Sequence, residues 1–238
     1  MSKIFDAYRK QARSAPDFGE ATARAGSIAL FPGPAEKQKP DFSKLANRLL
    51  GLRMEDNGSA ICFASSSAGE GASFVSFNTA NVLAHDYSQK VAWVDGNFLS
   101  PQKSLNSFDT TSFSNLIKKP EMVADLVVDT NPFLIPGGSD LVGARGFFAG
   151  ENYSRLIREL GKVFDFVIID LPPVLKSTDT ALMAKGTEGL LLVVEQRFLK
   201  WEVINHGVDS LREKKVNVLG SVINRRTYDL PKIIYDRL

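Results

Sequence analysis

The residues that could do chemistry begin with a glycine- and serine-rich stretch, SSSAGEGASF at 65–74, which directly follows the apolar run ICFA. Between a strand and a helix, such glycines let backbone N–H groups surround a phosphate at the helix N-terminus. A lysine in the loop then contacts the terminal phosphates, and the Ser or Thr after it binds magnesium. Here Ser73 stands at the magnesium position, but Ala72 replaces the lysine and Ser66 replaces the first glycine. The stretch predicts either a phosphate-binding loop without its positive charge or a simple turn.

Two aspartates end apolar runs further along the chain, Asp95 in VAWVDGN and Asp170 in FVIIDLPP. Ligands of open α/β sheets bind outside the carboxyl ends of the strands. If both runs are strands, the loop and the two carboxylates are expected to converge on one crevice. Each aspartate alone is explained as well by a strand-end turn or a helix cap, but three such features in order favour a site.

Short apolar segments alternate with amphipathic ones, which indicates the elements that position these residues. Predicted strands cover 60–65, 91–95, 166–170, 189–195 and 216–224, with a further short strand in FLIPGG. This alternation predicts an α/β fold with a doubly wound, mostly parallel sheet and helices on both faces. The sheet domain is predicted at 41–238. Residues 1–40 are predicted to form a short amphipathic helix, in MSKIFDAYRK, and a proline-containing linker.

The composition narrows the class of protein and its location. With 44% hydrophobic residues, 24% charged residues and a net charge of +2, the chain has no overall field that would attract nucleic acid. The only cysteine, Cys62, excludes an intrachain disulfide and suits a reducing compartment. No apolar run approaches the ~18 residues that span a bilayer, and the opening residues lack the apolar core of a signal peptide. We expect a cytoplasmic protein that reaches a membrane through a partner.

Several stretches together resemble the bacterial tyrosine kinases that accompany capsule and exopolysaccharide export, a branch of the MinD/ParA class of P-loop ATPases. They are SSSAGEGAS, VAWVDGN, FDFVIIDLPPVLKSTDTALMA, GLLLVVE and VLGSVINRR, and the resemblance runs from about Asp41 to the C-terminus. It implies a P-loop NTPase-like fold and ATP or ADP with magnesium as ligands. It also implies an inner-membrane polysaccharide copolymerase or chain-length protein as the partner.

The resemblance assigns roles to individual residues. It implies catalytic roles for Asp95 and Asp170, and magnesium ligation by Ser73, Asp95 and Asp170. It also implies that nucleotide or phosphate is bound by six residues, of which the last contacts adenine. These are Ser67, Gly69, Glu70, Gly71, Ser73 and Asn224.

The chain departs from the family pattern at charged positions of the site. Asn97 stands where a second acid is expected after Asp95, and Leu99 stands where an arginine is expected. Phosphoryl transfer depends on positioning and on stabilising charge, which neither Ala72 nor Asn97 supplies. Loss of one charge-assisted contact costs about 1.5–3 kcal/mol, roughly a tenfold to hundredfold loss of affinity. We therefore expect catalysis to be largely or wholly lost, and ATP, ADP and magnesium to bind weakly or not at all.

Two features outside the site also differ from the family. The Glu-x-x-Arg-x-x-Arg signature used in ring contacts is missing, since Asp41, Lys44 and Asn47 stand in its place. The C-terminal tyrosine cluster that neighbouring subunits phosphorylate is reduced to Tyr228 and Tyr235. These differences predict a changed ring assembly and a largely missing substrate for autophosphorylation.

The sequence favours a catalytically impaired, kinase-like P-loop protein that acts as a partner or regulator in exopolysaccharide synthesis or export, peripheral at the inner membrane. It is expected to form homo-oligomers, or hetero-oligomers with a kinase-like paralogue, and not to bind nucleic acid. An active ATPase or tyrosine autokinase is the alternative if a displaced cation replaces the lysine, with Lys103 and Lys176 as candidates. A MinD/ParA-like positioning ATPase is a second alternative.

Overall fold

The computed structural model describes residues 31, 33–35, 38–52, 57–102, 112–138, 146, 148–196 and 198–226. The predicted N-terminal helix and two of the residues singled out in the tail, Tyr228 and Tyr235, lie outside this part of the chain, as does Lys103. None of the helices within the described ranges is long and apolar enough to cross a bilayer.

One sheet of six strands forms the centre of the molecule. The strands are β1 (Ser59–Ser65), β2 (Val91–Asp95), β3 (Phe133–Ile135), β4 (Phe166–Asp170), β5 (Gly189–Glu195) and β6 (Val218–Asn224). All neighbours pair in parallel, in the order β3–β2–β4–β1–β5–β6. Every residue of β1, β2 and β4 is buried, as expected for continuous apolar runs in a parallel sheet covered on both faces. The predicted strands are confirmed.

The first helix precedes β1, and the others lie between the strands in the chain. They are α1 (Lys39–Leu50), α2 (Ala72–His85), α3 (Phe113–Lys118), α4 (Glu151–Val163), α5 (Asp179–Lys185) and α6 (Trp201–Glu213), with a 3₁₀ turn at Pro120–Asp125. Pro40 lies in the first turn of α1, where its missing N–H leaves no helical bond unmade. Phe42, Ala46 and Leu49 follow at helical spacing and are buried, and α1 packs against α2.

Apolar side chains pack on both faces of the sheet, which confirms the predicted doubly wound arrangement. On one face, α1 and α2 bury residues such as Leu49 and Phe77 against β1, β2 and β4. Trp93 of β2 belongs to this core and meets Phe77 edge to face, with 5.7 Å between ring centroids. On the other face, α4 and α5 contribute Leu156 and Met183 to a second core. The sheet is therefore held rigidly between two helical layers.

The strand order brings the predicted site residues to one edge of the sheet. β1 lies between β4 and β5, and β4 lies between β1 and β2. In register, Asp170 pairs with Phe63 of β1 on one side and with Asp95 of β2 on the other. The loop at 66–71 leaves β1 at this same edge and leads into α2. The loop and both acids therefore lie next to one another.

Candidate phosphate-binding site

The loop between β1 and α2, residues 66–71, has the backbone shape that its glycines predict. Gly69 (φ 97°) and Gly71 (φ 89°) adopt the left-handed conformation that residues with side chains rarely take. A Cβ atom at Gly71 would collide with the side-chain amide of Asn224. Gly71 is also the N-cap residue of α2, so its conformation sets where the helix N-terminus points. Glycine is required here by both backbone and packing.

Glu70, which the family resemblance assigns to the phosphate, is buried and bonds to the protein. Its Oε1 accepts a hydrogen bond from Ser67 N at 2.6 Å, and its Oε2 accepts one from Glu195 N at 3.2 Å. Burial raises the pKa of this carboxyl, and the backbone hydrogen bonds oppose the rise. The Glu70 carboxylate thus bonds to the backbone of its own loop and to the end of β5. The backbone amide of Ser67 is therefore already hydrogen-bonded within the protein.

The end of β6 adds two side chains to the loop. Asn224 donates from Nδ2 to the Glu70 carbonyl at 2.9 Å, and its Oδ1 accepts from Arg225 N at 2.9 Å. Arg225 donates from Nη1 to the Gly69 carbonyl at 3.3 Å and to Glu195 Oε2 at 2.8 Å. The Asn224 amide, assigned to adenine by the resemblance, is therefore engaged by the protein at both of its ends.

An open cleft of about 680 Å³ lies beside the loop. Of the predicted site residues, six line it, namely Gly69, Gly71, Ala72, Ser73, Asn97 and Asn224. The other four, Ser67, Glu70, Asp95 and Asp170, are not part of its lining. Two cations, Lys176 and Arg225, line the cleft, and no carboxylate does so in the part of the chain that the structure covers. The surface that a ligand would meet is therefore weakly positive.

Asp95 and Asp170 lie behind this lining. Asp95 accepts hydrogen bonds from Asn97 N at 3.2 Å and Gln102 N at 2.7 Å. Burial nevertheless raises the pKa of Asp95 to about 6. Asp170 is fully buried, and neither of its oxygens has a hydrogen-bond partner of good geometry among the described residues. Burial raises the pKa of Asp170 well above its usual range; the Ser73 hydroxyl opposes the rise and the Asp95 carboxylate adds to it.

The residues present fit a magnesium ion bound together with a phosphate, although the loop lacks the lysine that would contact the phosphate. A buried carboxylate is disfavoured until a proton or a cation neutralises it, and Asp170 has no hydrogen-bond partner of good geometry among the described residues. Asp170 and the Ser73 hydroxyl are the hard oxygen ligands that magnesium prefers. No group of three or more His, Cys, Asp or Glu residues suited to a metal occurs within the described ranges. A magnesium ion here would therefore depend on oxygens from a phosphate ligand.

Some residues of the site were not predicted. Arg225 and Gln102 are both in contact with the loop or the acids, yet Gln102 belongs to no motif and Arg225, within VLGSVINRR, was given no role in the site. The signal for Arg225 is its place directly after the last predicted strand, at the edge where the loop lies. Gln102 acts through its backbone amide, so its side chain gives no signal. Phe31 and Gln38, which precede the sheet domain, also line the cleft.

No protein-family model matches the chain. Tyrosine-protein kinase CpsD of Streptococcus agalactiae (serotype III, strain NEM316) is 22% identical over 106 residues, which cover 43% of this chain and 46% of CpsD. The chain thus matches about half the length of this relative. CapB of Staphylococcus aureus is 23% identical over 194 residues, which cover 79% of this chain and 84% of CapB.

Solved structures share the fold. The kinase domain of the Escherichia coli tyrosine kinase ETK superposes with a TM-score of 0.72 at 19% identity, over 97% of this chain and 89% of that one. The chimeric protein CapA2B2 superposes with a TM-score of 0.68 at 21% identity, over 82% and 87%. Cobyrinic acid a,c-diamide synthase from Mycobacterium smegmatis, solved with an ATP analog and magnesium, gives 0.58 at 18% identity, over 76% and 79%.

These likenesses confirm the predicted P-loop NTPase-like α/β fold. The matches to CpsD and CapB are sequence relationships, and they agree with the motifs that carry the resemblance. The strand order and the glycine loop between β1 and α2 place those motifs at one edge of the sheet. The chain resembles the bacterial tyrosine kinase family of P-loop proteins in sequence and in fold.

Proposed function

We propose that the chain is a catalytically impaired member of this family that acts as a partner or regulator in exopolysaccharide or capsule synthesis and export. The observation that carries the proposal is the residue at the start of α2. Ala72 is the first residue of that helix and lines the cleft, where the family places a lysine. A methyl group supplies neither the charge nor the donor that stabilises a transferred phosphoryl group.

Asn97, which also lines the cleft, supports the same proposal. Its backbone amide donates to Asp95, while its side-chain Oδ1 is buried without a partner among the described residues. A neutral amide does not take a proton from an attacking hydroxyl, and it adds no negative charge for magnesium. Catalysis would therefore lack a base at this position as well as the cation at Ala72.

The loop is held in place by the protein itself, which favours a binding role over turnover. Glu70 and Asn224 satisfy loop amides and carbonyls that would otherwise depend on ligand or water. A loop fixed in this way keeps the surface of the kinase-like scaffold intact when no nucleotide is bound. Such a scaffold can still occupy a kinase's place in an assembly. We expect ATP or ADP with magnesium to bind weakly, as the ATP analog and magnesium in the cobyrinic acid synthase suggest for this fold.

Partner and location are inferred from the resemblance to this family and form part of the proposal. The partner is the cytoplasmic face of an inner-membrane polysaccharide copolymerase or chain-length protein, which would place the chain at the membrane periphery. The similarity to the chimera CapA2B2 over 82% of the chain supports a partner of this type. A hetero-oligomer with a kinase-like paralogue is a second way for the chain to act.

The catalytic part of the proposal is tested by magnesium-dependent ATP hydrolysis and autophosphorylation. We expect the natural chain to show no more activity than Asp170→Asn. The reason is that Ala72 and Asn97 supply neither the cation nor the base that phosphoryl transfer needs. Turnover by the natural chain that disappears in Asp170→Asn would overturn the proposal and establish an active kinase or ATPase.

The partner role is tested by affinity capture from membranes of the source cells. We expect recovery of an inner-membrane protein of a polysaccharide system, and the same recovery with Asp170→Asn, since the role does not need turnover. A capture that repeatedly yields no polysaccharide component would contradict the partner role while leaving the catalytic result intact.

A further inference from the structure

We propose that Arg225 supplies the positive charge that the loop has lost at Ala72, so that the cleft retains weak affinity for a nucleoside di- or triphosphate. This inference rests on the proposed function, since it describes how an impaired site would still bind a ligand. Arg225 directly follows β6, at the edge of the sheet where the loop and the cleft lie. It stands in the stretch VLGSVINRR, but the resemblance assigns it no role in the site.

The contacts of Arg225 place its guanidinium on the phosphate loop. Nη1 lies 3.3 Å from the carbonyl oxygen of Gly69 and 2.8 Å from Glu195 Oε2. The residue has φ 51°, a left-handed conformation that turns the chain sharply at the end of β6. Its side chain is 60% exposed, so a ligand in the cleft can reach it without opening the protein.

Arg225 suits this role better than Lys176, the other cation that lines the cleft. Lys176 lies between β4 and α5 and is exposed, and its backbone amide bonds to Pro173 O. Its ammonium makes no described contact with the loop. Arg225, in contrast, is already bonded to a loop carbonyl. A guanidinium also offers a planar set of donors that matches phosphate oxygens. Lys176 is therefore an internal comparison for the effect of a cation near the cleft.

The chemistry of the cleft favours a ligand with both a polyphosphate and an apolar part. Its volume of about 680 Å³ lies within the range of small-molecule sites. Phe31, Phe74 and Leu171 give it apolar walls, while Arg225 and the loop lie on its polar side. A nucleoside diphosphate would use both surfaces. Inorganic pyrophosphate would use the polar side alone, so comparing the two separates nucleotide binding from plain anion binding.

Glu195 competes with the ligand for Arg225. Its carboxylate is mostly buried, with 17% of the side chain exposed, and it holds the guanidinium in an ion pair. A phosphate must displace or share this partner. The hydrogen bond from the Glu195 backbone N–H to Glu70 does not involve the Glu195 side chain. Changing Glu195 to Gln therefore releases the charge of Arg225 and leaves the backbone link to the loop in place.

The test is a calorimetric titration of the full chain with ADP and with pyrophosphate, each with magnesium. Arg225→Ala is expected to weaken ADP binding by about tenfold or more, the effect of losing a charge-assisted contact. Glu195→Gln is expected to tighten it several-fold. Arg212→Ala is the matched control, because Arg212 is also an exposed arginine in an ion pair, with Asp209 at 3.6 Å, and does not line the cleft. Lys176→Ala is expected to change affinity less than Arg225→Ala.

A second arm separates a lost charge from a damaged loop. If Arg225 acts as the displaced cation, Ala72→Lys with Arg225→Ala will bind ADP about as tightly as Ala72→Lys alone. A double variant as weak as Arg225→Ala would show that the arginine only shapes the loop, and would overturn the proposal. Unchanged ADP affinity in Arg225→Ala would overturn it too.

The remaining outcomes also bear on the proposal. Equal binding of pyrophosphate and ADP would contradict a nucleotide site, since the apolar walls would then contribute nothing. A natural chain that binds neither ligand would overturn the role of Arg225 but not the proposed function. Magnesium-dependent ATP turnover would contradict the proposed function. The effect of Arg225→Ala on ADP affinity would still decide the role of Arg225.

Discussion

Asp95 and Asp170 occupy paired positions at the ends of two adjacent parallel strands, β2 and β4. Both are buried, with 1% and 0% of the residue exposed. Asp95 has two amide donors, whereas the oxygens of Asp170 have no hydrogen-bond partner of good geometry among the described residues. Two carboxylates so placed raise each other's cost of ionisation unless a cation joins them. A bound cation would therefore stabilise the ionised pair.

The first prediction concerns the pH dependence that Asp95 contributes to stability. Folding raises its pKa from 3.8 to about 6, chiefly through burial. Its stabilising contribution is therefore full below pH 3.8 and is lost as the pH rises to about 6. The loss amounts to about 3 kcal/mol. In urea unfolding, Asp95→Asn should gain most of this amount relative to the natural chain between pH 4 and pH 7, whatever constant offset its lost hydrogen bonds introduce. A difference that does not change with pH would refute the prediction.

Asp170→Asn is predicted to stabilise the ligand-free protein at alkaline pH. Burial and the neighbouring Asp95 carboxylate raise the pKa of Asp170 well above its usual range, so its ionisation costs stability as the pH rises. A neutral amide removes this cost. The melting temperature of Asp170→Asn should exceed that of the natural chain by more at pH 8.5 than at pH 5. Asp129→Asn, at an exposed position, serves as the control and should not show this change. A smaller gain at pH 8.5 than at pH 5 would be inconsistent with the buried, unpaired carboxylate.

Gly71→Ala is predicted to disturb the loop and its contact with β6. The left-handed conformation costs a residue with a side chain about 1–2 kcal/mol, and the new Cβ would collide with the Asn224 amide. We expect a loss of unfolding free energy larger than the backbone cost alone, together with faster amide exchange in the loop. Gly51→Ala is the control, since Gly51 has φ −69° and room for a methyl group. Equal effects of the two variants would contradict the described packing.

Glu70→Ala is predicted to loosen the loop because it leaves the amides of Ser67 and Glu195 without their acceptor. An unsatisfied buried donor costs about 1–3 kcal/mol. Hydrogen exchange should therefore accelerate at Ser67, and the unfolding free energy should fall by about 2 kcal/mol or more. Glu159→Ala, which removes an exposed ion pair with Lys162, should change stability little. Unaltered exchange at Ser67 would show that Glu70 does not hold the loop.

Much of the fold follows from the sequence because the sheet is parallel and buried on both faces. Such strands appear as short apolar runs, and VAWVD and FVIID are recognisable for that reason. The convergence of Asp95 and Asp170 also follows, since carboxyl ends of parallel strands share an edge. Their exact pairing could not be predicted, because the order β2–β4–β1 depends on how the helices cross over the sheet.

The fine structure of the site depends on tertiary contacts that leave no local signal. The motif places Glu70 beside the phosphate, yet its side chain turns inward to the backbone of Ser67 and Glu195. Asn224 likewise bonds to the loop. Arg225 reaches the loop across more than 150 residues of sequence, through a contact with Gly69. No spacing rule in the sequence connects positions so far apart.

The central claim is that the site has lost the charge of its loop lysine while the scaffold is intact. Titration of ADP with magnesium into the natural chain and Ala72→Lys tests it most directly. Ala72 lines the cleft, so a lysine side chain there has space to enter it. We predict that the lysine variant binds at least about tenfold more tightly, the effect of one charge-assisted contact. Equally tight binding by the natural chain, or no gain in a folded lysine variant, would contradict the claim.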